Sequence, residues 1–181
     1  MAKPRIIGGT AKGRSLETPK RGTSPSPSRL REALFDILAF YERGTFLYLY
    51  SGSGAIGLEA ASRGWTATCI DLNKAAANII RQNAHALRLD AKIIQGDALK
   101  FAKTSPEKFD VVFAAPPYPL NLSEIFQTIL DAEVAAKDGL YIFQHPTGLE
   151  LNLARAGAAL EPEVRAYGSN ALSFVAPKTT T

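Results

Sequence analysis

Short apolar runs alternate with amphipathic segments along most of the chain. Runs of strand length lie at about 45–50, 66–71, 91–95, 109–114 and 140–144, and segments with helical spacing of hydrophobic residues lie at about 55–64, 73–88, 97–103 and 121–134. Strands that alternate with helices are typical of a parallel sheet covered by helices on both faces. The pattern therefore predicts an α/β domain.

The two ends of the chain depart from this alternation. Residues 163–167 and 171–175 flank Gly168-Ser169-Asn170, which predicts a terminal β-hairpin that adds an antiparallel strand at the sheet edge. At the other end, residues 5–7 and 14–17 flank glycine-containing turns and predict a short β-hairpin. A linker rich in Pro, Ser and Gly follows at 18–28, and the helical spacing after it predicts a helix whose exposed first turn carries Arg29 and Arg31.

Positive charge is concentrated in the first part of the chain. The net charge is +4, yet residues 1–31 hold eight Lys or Arg and one acidic residue. A basic arm on a slightly acidic body favours a polyanionic partner, and a nucleic-acid backbone is the commonest one. We expect Lys12, Arg14, Arg29 and Arg31 to contact it, with a solvated basic tail as the alternative.

Cysteine and histidine are too scarce for several classes of site. The chain has one cysteine, Cys69, which excludes an intrachain disulfide and any metal site built from several cysteines. Cys69 lies in an apolar run and is expected to be a buried core thiol, and His145 is expected to be a structural loop residue. We expect no metal, no export or membrane-spanning segment, and a cytoplasmic location.

A glycine-rich turn joins the first strand of the α/β region to its helix. Ser51, Gly52 and Gly54 form this turn, and with Gly57 the glycines match the spacing G-x-G-x-x-G. Such a turn lets a ligand approach the backbone at the N-terminus of the helix. The spacing alone is weak, because nucleotide, nicotinamide and S-adenosylmethionine sites share it, and a purely structural turn is the alternative.

Acidic residues follow the second and third strands. Asp71 is placed to accept hydrogen bonds from the ribose hydroxyls of an adenosine cofactor, and Asp97 to accept one from an adenine amine. Each could instead cap the following helix, although Asn73 is the better capping candidate after Asp71. Leu72 and Ala98, the residues next to these acids, complete this part of the candidate cofactor site.

The fourth strand ends at two prolines and a tyrosine. Pro116 and Pro117 cannot donate to a sheet, so they end the strand and leave nearby carbonyl groups free, and Tyr118 offers a stacking face. A nicotinamide-dependent dehydrogenase would share the glycine turn and the acids. A flipped-out nucleobase stacked on Tyr118 explains this strand end better, because no hydride-accepting site is evident.

Several segments, in order, resemble the RsmD family of ribosomal RNA guanine-N2 methyltransferases. Arg5 to Gly9 and Gly13 to Leu16 match its opening motifs, and Arg29 to Leu38 match its R-x-R-E-A-L-F-x-I-L helix. The cofactor loop matches over Gly52 to Ala60 and the closing hairpin over Tyr167 to Phe174. The resemblance covers nearly the whole chain.

The resemblance implies a class I S-adenosylmethionine-dependent methyltransferase fold, a Rossmann-like α/β domain with a seven-stranded sheet whose last strand is antiparallel. It divides the chain into an RNA-contacting extension, residues 1–40, and a methyltransferase domain, residues 41–181. The implied partner is ribosomal RNA or an assembling small ribosomal subunit, and the implied state is a monomer. S-adenosylmethionine would lie over Gly52 and Gly54, and the implied acceptor group comprises Ala115, Pro116, Pro117 and Tyr118.

This chain departs from the family pattern at two positions. The family carries Asp or Asn where this chain has Ala115, and Asp where it has Tyr48, which corresponds to a cofactor contact. The first hypothesis is an active enzyme in which backbone carbonyls replace the missing acceptor. The alternatives are a catalytically weak or inactive ribosomal RNA-binding or assembly protein of the same fold, and an adenine-N6 DNA methyltransferase.

Overall fold

The computed structural model describes residues 3–19 and 26–178 and contains five helices and nine strands within them. The helices are α1 (Ser28–Leu38), α2 (Ala55–Ser62), α3 (Lys74–Ala86), α4 (Ala98–Thr104) and α5 (Leu122–Asp131). The strands are β1 (Thr45–Leu49), β2 (Thr66–Asp71), β3 (Ala91–Gln95), β4 (Phe109–Ala114), β5 (Ala135–Pro146), β6 (Ala154–Arg155), β7 (Ala158–Ala159), β8 (Glu163–Tyr167) and β9 (Asn170–Val175). Residues 20–25 of the expected linker lie outside the described residues.

Seven strands form one sheet in the order β3-β2-β1-β4-β5-β9-β8. Strands β1 to β5 are parallel, and β9 runs antiparallel to both of its neighbours, β5 and β8. The seven-stranded sheet with an antiparallel last strand is therefore confirmed, and so is the closing hairpin.

Strand β5 is longer than its apolar run predicts. It begins at Ala135, and its pairing with β4 shifts register between the Phe109↔Ala135 and Val111↔Leu140 pairs. Gly139 lies at this irregularity, where a Cβ atom would come within 2.8 Å of the Phe109 carbonyl oxygen. The polar residues Lys137 and Asp138 interrupt the hydrophobic pattern there, so the pattern does not predict the first part of the strand. The small β6–β7 hairpin was also not predicted.

Helices cover both faces of the sheet. Helices α1, α2 and α3 lie on one face, where an aromatic series of Phe35, Phe46 and Phe113 packs with ring centroids 6.1 and 6.4 Å apart. Helices α4 and α5 lie on the other, where Phe126 and Phe143 stack at 4.3 Å. Burial of these large rings on both faces supplies much of the hydrophobic stabilisation of the sheet.

The N-terminal hairpin is present but short. It has one antiparallel bridge, between Arg5 and Ser15, and the Ile6 N–H donates to the Arg14 carbonyl oxygen at 2.9 Å. Its apolar side packs on α2 and α3 through Ile6, Ala11 and Leu16. The hairpin is therefore part of the domain surface rather than a free arm.

A buried carboxylate ties the hairpin to the domain. Glu59, on α2, accepts hydrogen bonds from the backbone N–H groups of Ile7 and Gly8, each at 2.9 Å. It also pairs with Arg63 at 2.9 Å and with Arg31 at 3.4 Å. One carboxylate thus joins three separate segments of the chain.

The expectation that Arg31 is exposed is wrong. Its side chain is fully buried, and Nη1 donates to the Arg5 carbonyl oxygen at 3.0 Å as well as facing Glu59. Burial lowers the pKa of the Arg31 guanidinium, and the Glu59 charge opposes that shift. The hairpin covers this side of α1, so Arg31 is not available for nucleic acid. Arg29, two residues earlier, is exposed.

Candidate active site at the carboxyl edge of the sheet

The glycine turn leaves β1 at the carboxyl edge of the sheet. The Ser51 N–H donates to the Ile70 carbonyl oxygen at 3.0 Å, and the Ser51 hydroxyl donates to the Tyr48 carbonyl oxygen at 2.8 Å. The Gly54 N–H then donates back to the Ser51 carbonyl oxygen at 2.7 Å. These bonds hold the turn closed between the ends of β1 and β2.

Positive φ angles in this turn explain its glycines. Gly52 and Gly54 have φ of 53° and 78°, and a Cβ atom on Gly54 would lie 2.7 Å from a side-chain carbon of Ile80. Tyr50 also has a positive φ, 61°, which is unfavourable for a residue with a side chain. The backbone is therefore held in a strained conformation where the cofactor is expected.

Asp71 shapes this turn directly. One carboxylate oxygen accepts the Gly52 N–H and the other accepts the Asn73 N–H, both at 2.8 Å. Asn73, rather than Asp71, caps α3, since its side chain accepts the Ala76 N–H at 2.9 Å. Each oxygen of a carboxylate has a second lone pair, so Asp71 can still accept ribose hydroxyl groups.

Asp97 lies at the end of β3, next to Asp71. The Gly96 N–H donates to the Asp71 carbonyl oxygen at 2.9 Å, which joins the two strand ends. Asp97 caps α4 with one oxygen, which accepts the Lys100 N–H at 2.8 Å, so its capping role is confirmed. The side chain is exposed and its second oxygen remains for a ligand, while Ala98 is buried behind it.

Apolar groups border these acids. Leu72 is 69% exposed directly after Asp71. Burial, reinforced by the charge of Asp97, raises the pKa of Tyr50 to about 12, which keeps its ring neutral. The edge of the sheet therefore offers two carboxylates with apolar side chains beside them.

The residues after β4 form the second part of the site. The Ala115 N–H donates to the Leu49 carbonyl oxygen at 3.2 Å, which holds this strand end beside the glycine turn. Pro116 is buried, Pro117 is exposed and Tyr118 is 36% exposed. No N–H group of the described residues donates to the carbonyl oxygen of Ala115 or Pro116. Both carbonyls remain available to a ligand.

Tyr118 is held by two residues that the sequence analysis missed. Its hydroxyl donates to the Asn170 side-chain oxygen, and the Gln144 side-chain N–H donates to that hydroxyl at 3.2 Å. Gln144 lies near the end of β5 and Asn170 begins β9. Only the order of strands in the folded sheet brings them to Tyr118, so no local sequence signal could have identified them.

The Tyr48 side chain lies inside the domain. It is 3% exposed, and its ring meets the ring of Phe113 edge-on at 5.5 Å. Burial raises the pKa of its hydroxyl. A cofactor contact through this side chain remains a prediction, whereas its carbonyl oxygen already holds Ser51 in the glycine turn.

Cys69 and His145 are both structural, although His145 lies in β5 and not in a loop as expected. Cys69 is fully buried, and burial raises the pKa of its thiol to about 12, so it is not a nucleophile. His145 is 1% exposed, and its Nδ1 faces the Pro146 carbonyl oxygen at 2.9 Å. Because that oxygen can only accept, Nδ1 carries the proton and Nε2 accepts from the Ser173 hydroxyl at 2.7 Å.

This histidine makes stability depend on pH. Burial lowers the pKa of His145 below its ordinary value of 6.5, so the unfolded chain takes up a proton at a higher pH than the folded protein does. Stability is therefore full above about pH 6.5 and falls as the pH decreases, by at most about 1.4 kcal/mol per pH unit. Urea midpoints measured between pH 7.5 and 5.5 should show this decrease. It should flatten in His145→Gln and persist in His85→Gln, and an unaltered profile in His145→Gln would contradict it.

The basic residues Lys12, Arg14 and Arg29 are exposed. Arg14 also lines a surface groove of about 490 Å³ together with Thr10, Ala86, Leu87 and Arg88. The hairpin and the end of α3 thus share a positively charged surface. Among the described residues, no group of three His, Cys, Asp or Glu side chains is placed to hold a metal ion. No described helix has the length and apolar character needed to cross a membrane.

Residues 4–176 match the sequence profile of the family described as conserved hypothetical protein 95. The chain belongs to this family. Ribosomal RNA small subunit methyltransferase D of Escherichia coli K12 is 36% identical over 124 residues, which cover 66% of this chain and 63% of that protein. The family match, together with this relative, confirms the RsmD-type family expected from the sequence.

Solved structures share the fold over almost their whole length. A hypothetical protein of Thermus thermophilus is 40% identical, with a TM-score of 0.85 and coverage of 96% of this chain and 99% of that one. The protein yhhF of Escherichia coli, assigned as a methyltransferase, is 29% identical, with a TM-score of 0.84 and coverage of 99% and 100%. The methyltransferase fold expected for a member of the conserved hypothetical protein 95 family is confirmed.

Proposed function

We propose that this chain transfers a methyl group from S-adenosylmethionine to the exocyclic N2 amine of a guanine in small-subunit ribosomal RNA. The observation that carries the proposal is the meeting of two sets of residues at one edge of the sheet. Asp71, Leu72 and Asp97 follow β2 and β3, and Pro116-Pro117-Tyr118 follow β4. The name of the Escherichia coli relative supports methyl transfer to small-subunit ribosomal RNA.

The first set fits an adenosine. Asp71 has lone pairs for two ribose hydroxyls, Leu72 offers an exposed apolar surface for a flat ring, and Asp97 has a free oxygen for an amine. The glycines of the turn carry no side chains, so the rest of the molecule can approach the backbone there. S-adenosylmethionine supplies a methyl group already activated by the positive charge on sulfur.

The second set fits a guanine. The ring of Tyr118 is partly exposed for stacking, and the carbonyl oxygens of Ala115 and Pro116 are free to accept from an amine. A guanine amine is a weak nucleophile, and positive charge develops on its nitrogen as the methyl group is transferred. Acceptors placed at that nitrogen stabilise the charge, and the rigid strand end positions them before the reaction.

A methylation assay tests this function. S-adenosylmethionine with a labelled methyl group is incubated with unmodified small-subunit particles and, separately, with naked small-subunit ribosomal RNA. We expect label in N2-methylguanosine after nuclease digestion, identified by mass spectrometry. If calorimetry shows cofactor binding but neither substrate gains label, the proposal is wrong and a non-catalytic RNA-binding or assembly role becomes the better explanation.

We also propose that RNA contacts the exposed basic residues Lys12, Arg14, Arg29 and Arg88, of which Arg14 and Arg88 line one groove. All four side chains are exposed, and the buried Glu59 fixes the hairpin that carries the first two. Each phosphate contact releases bound counterions, so the number of contacts can be measured from the salt dependence of RNA affinity. Loss of contacts at these residues should therefore change that salt dependence.

Replacing Arg14 and Arg88 together by Ala should weaken RNA binding and flatten its salt dependence. The slope of log K against log salt should fall by about 0.7 to 0.9 for each phosphate that the variant no longer neutralises. Binding titrations at several salt concentrations measure the slope, and calorimetry should show unchanged cofactor affinity. Arg165→Ala is the control, because this exposed arginine lies on β8 at the other end of the sheet. An unchanged slope in the double variant would refute this surface.

A further inference from the structure

Gln144 lies beside Ala115 at the carboxyl edge of the sheet. Ala114 pairs with Phe143 in the parallel β4–β5 register, so the next residues along each strand are neighbours. Phe113 and Ile142, two residues before Ala115 and Gln144, both belong to the core on the α1 and α2 face. Because side chains alternate along a strand, Ala115 and Gln144 also share that face.

The side chain of Gln144 is buried, and only one of its two polar atoms has a hydrogen-bond partner. It is 9% exposed, and its amide nitrogen donates to the Tyr118 hydroxyl at 3.2 Å. Its carbonyl oxygen, Oε1, is buried and has no hydrogen-bond partner among the described residues. Buried carbonyl oxygens in side chains are almost always paired, so this one needs a partner that is not part of the chain, which is either a water molecule or a ligand.

The orientation of this amide follows from its neighbours. The Tyr118 hydroxyl has a single proton, which it gives to the Asn170 side-chain oxygen, and it accepts from the Gln144 side-chain N–H. The amide nitrogen is therefore bonded to Tyr118, and the amide oxygen, Oε1, has no partner. Tyr118 and Asn170 therefore hold Gln144 with an acceptor free, next to the position where Ala115 has no polar side chain.

We propose that Gln144 Oε1 accepts a hydrogen bond from the exocyclic amine of the target guanine and supplies the acceptor that Ala115 lacks. This rests on the proposed function. In the transfer, the N2 lone pair forms the new N–C bond, the electrons of the broken S–C bond stay on sulfur, and one N2 proton leaves to water. Gln144 holds an N2 proton and stabilises the positive charge that develops on the nitrogen.

Tyr118 links the stacking face to this acceptor. Oε1 is buried, so a base reaches it only when part of its cover moves. Tyr118 is partly exposed and is bonded to the same amide, so a base that stacks on its ring is brought next to Gln144. Stacking on Tyr118 and hydrogen bonding to Gln144 are then two parts of one binding event.

The test uses Gln144→Leu, Gln144→Glu and the double variant Gln144→Leu with Ala115→Asn. Gln144→Leu should lower kcat about a hundredfold, the usual effect of removing one charge-stabilising group. Gln144→Glu keeps an acceptor and should stay within tenfold of the unaltered protein. Ala115→Asn places an amide on the neighbouring strand and should restore at least tenfold of the loss in Gln144→Leu. S-adenosylhomocysteine affinity, measured by calorimetry, should change less than twofold in every variant.

The possible outcomes distinguish the role of Gln144 from the proposed methyltransferase function on which it rests. If Gln144→Leu turns over within threefold of the unaltered protein, the role of Gln144 is wrong and the proposed function stands. If Gln144→Leu is slow and Ala115→Asn restores nothing, Gln144 only supports Tyr118, and its acceptor role is overturned. If the unaltered protein methylates neither particles nor RNA while it binds cofactor, the proposed function fails and this proposal fails with it.

Discussion

Replacing Glu59 by Ala should lower the free energy of unfolding by about 3–5 kcal/mol, which is the usual cost of removing one partner from a buried ion pair. The Arg31 guanidinium would remain fully buried without its opposite charge. The backbone N–H groups of Ile7 and Gly8 would lose their acceptor at the same time. Arg31 is fully buried, so water cannot compensate its charge, whereas the partly buried N–H groups of Ile7 and Gly8 can be hydrated in part.

Urea denaturation measures this effect. The chain has one tryptophan, Trp65, which is 4% exposed and meets the ring of Phe46 at 6.0 Å, so its fluorescence reports the core. Glu32→Ala, at an exposed position on α1, is the matched control and should change stability by less than about 0.5 kcal/mol.

A double variant tests the cause of the loss. Replacing Glu59 and Arg31 together by Leu should destabilise less than Glu59→Ala, because no uncompensated charge is then buried. If Glu59→Ala loses less than about 1 kcal/mol, well below the usual cost of such a change, the carboxylate does not organise the hairpin as the structure indicates.

Replacing Asp71 by Ala should weaken binding of S-adenosylhomocysteine about a hundredfold. Hydrogen bonds to a charged group contribute about 1.5–3 kcal/mol each, and about 1.4 kcal/mol corresponds to tenfold in affinity. The variant would lose the expected contacts to the ribose and also the acceptor that holds the Gly52 N–H. Both losses should weaken binding, since the glycine turn is where we expect the cofactor to approach the backbone.

Calorimetric titration measures the change. Asp71→Asn keeps one acceptor and should give an intermediate affinity, whereas Asp36→Ala, on the exposed side of α1, should bind as the unaltered protein does. An affinity for Asp71→Ala within threefold of the unaltered protein would show that the ribose does not lie at Asp71.

The strands and helices of the α/β region were predictable because the hydrophobic pattern that marks each of them is local in sequence. The apolar runs at 109–114 and 66–71, for example, indicate strands without reference to the rest of the fold. The closing hairpin was predictable for the same reason, since Gly168-Ser169-Asn170 marks its turn. The start of β5 was not, because Asp138 and Gly139 break the pattern where the strand bulges.

The contacts that complete the site depend on distant segments. Arg31 looks like a surface residue in its own helix, and it is buried only because the hairpin folds back onto α1. Gln144 and Asn170 reach Tyr118 across 26 and 52 residues of sequence. The pairing of β5 with β9 sets their positions, and local propensity carries no information about that pairing.

The place of β9 in the sheet gives the folding chain a vulnerable stage during its synthesis. Translation produces β5 first, and the hydrogen-bonding edge of that strand stays open until β9 has been made and inserted beside it. Tyr141, Ile142 and Phe143, all buried in the finished protein, lie along that edge. An open strand of this composition pairs readily with other chains. The nascent chain is therefore most open to mispairing until its last hairpin emerges, and the same insertion brings Asn170 to Tyr118.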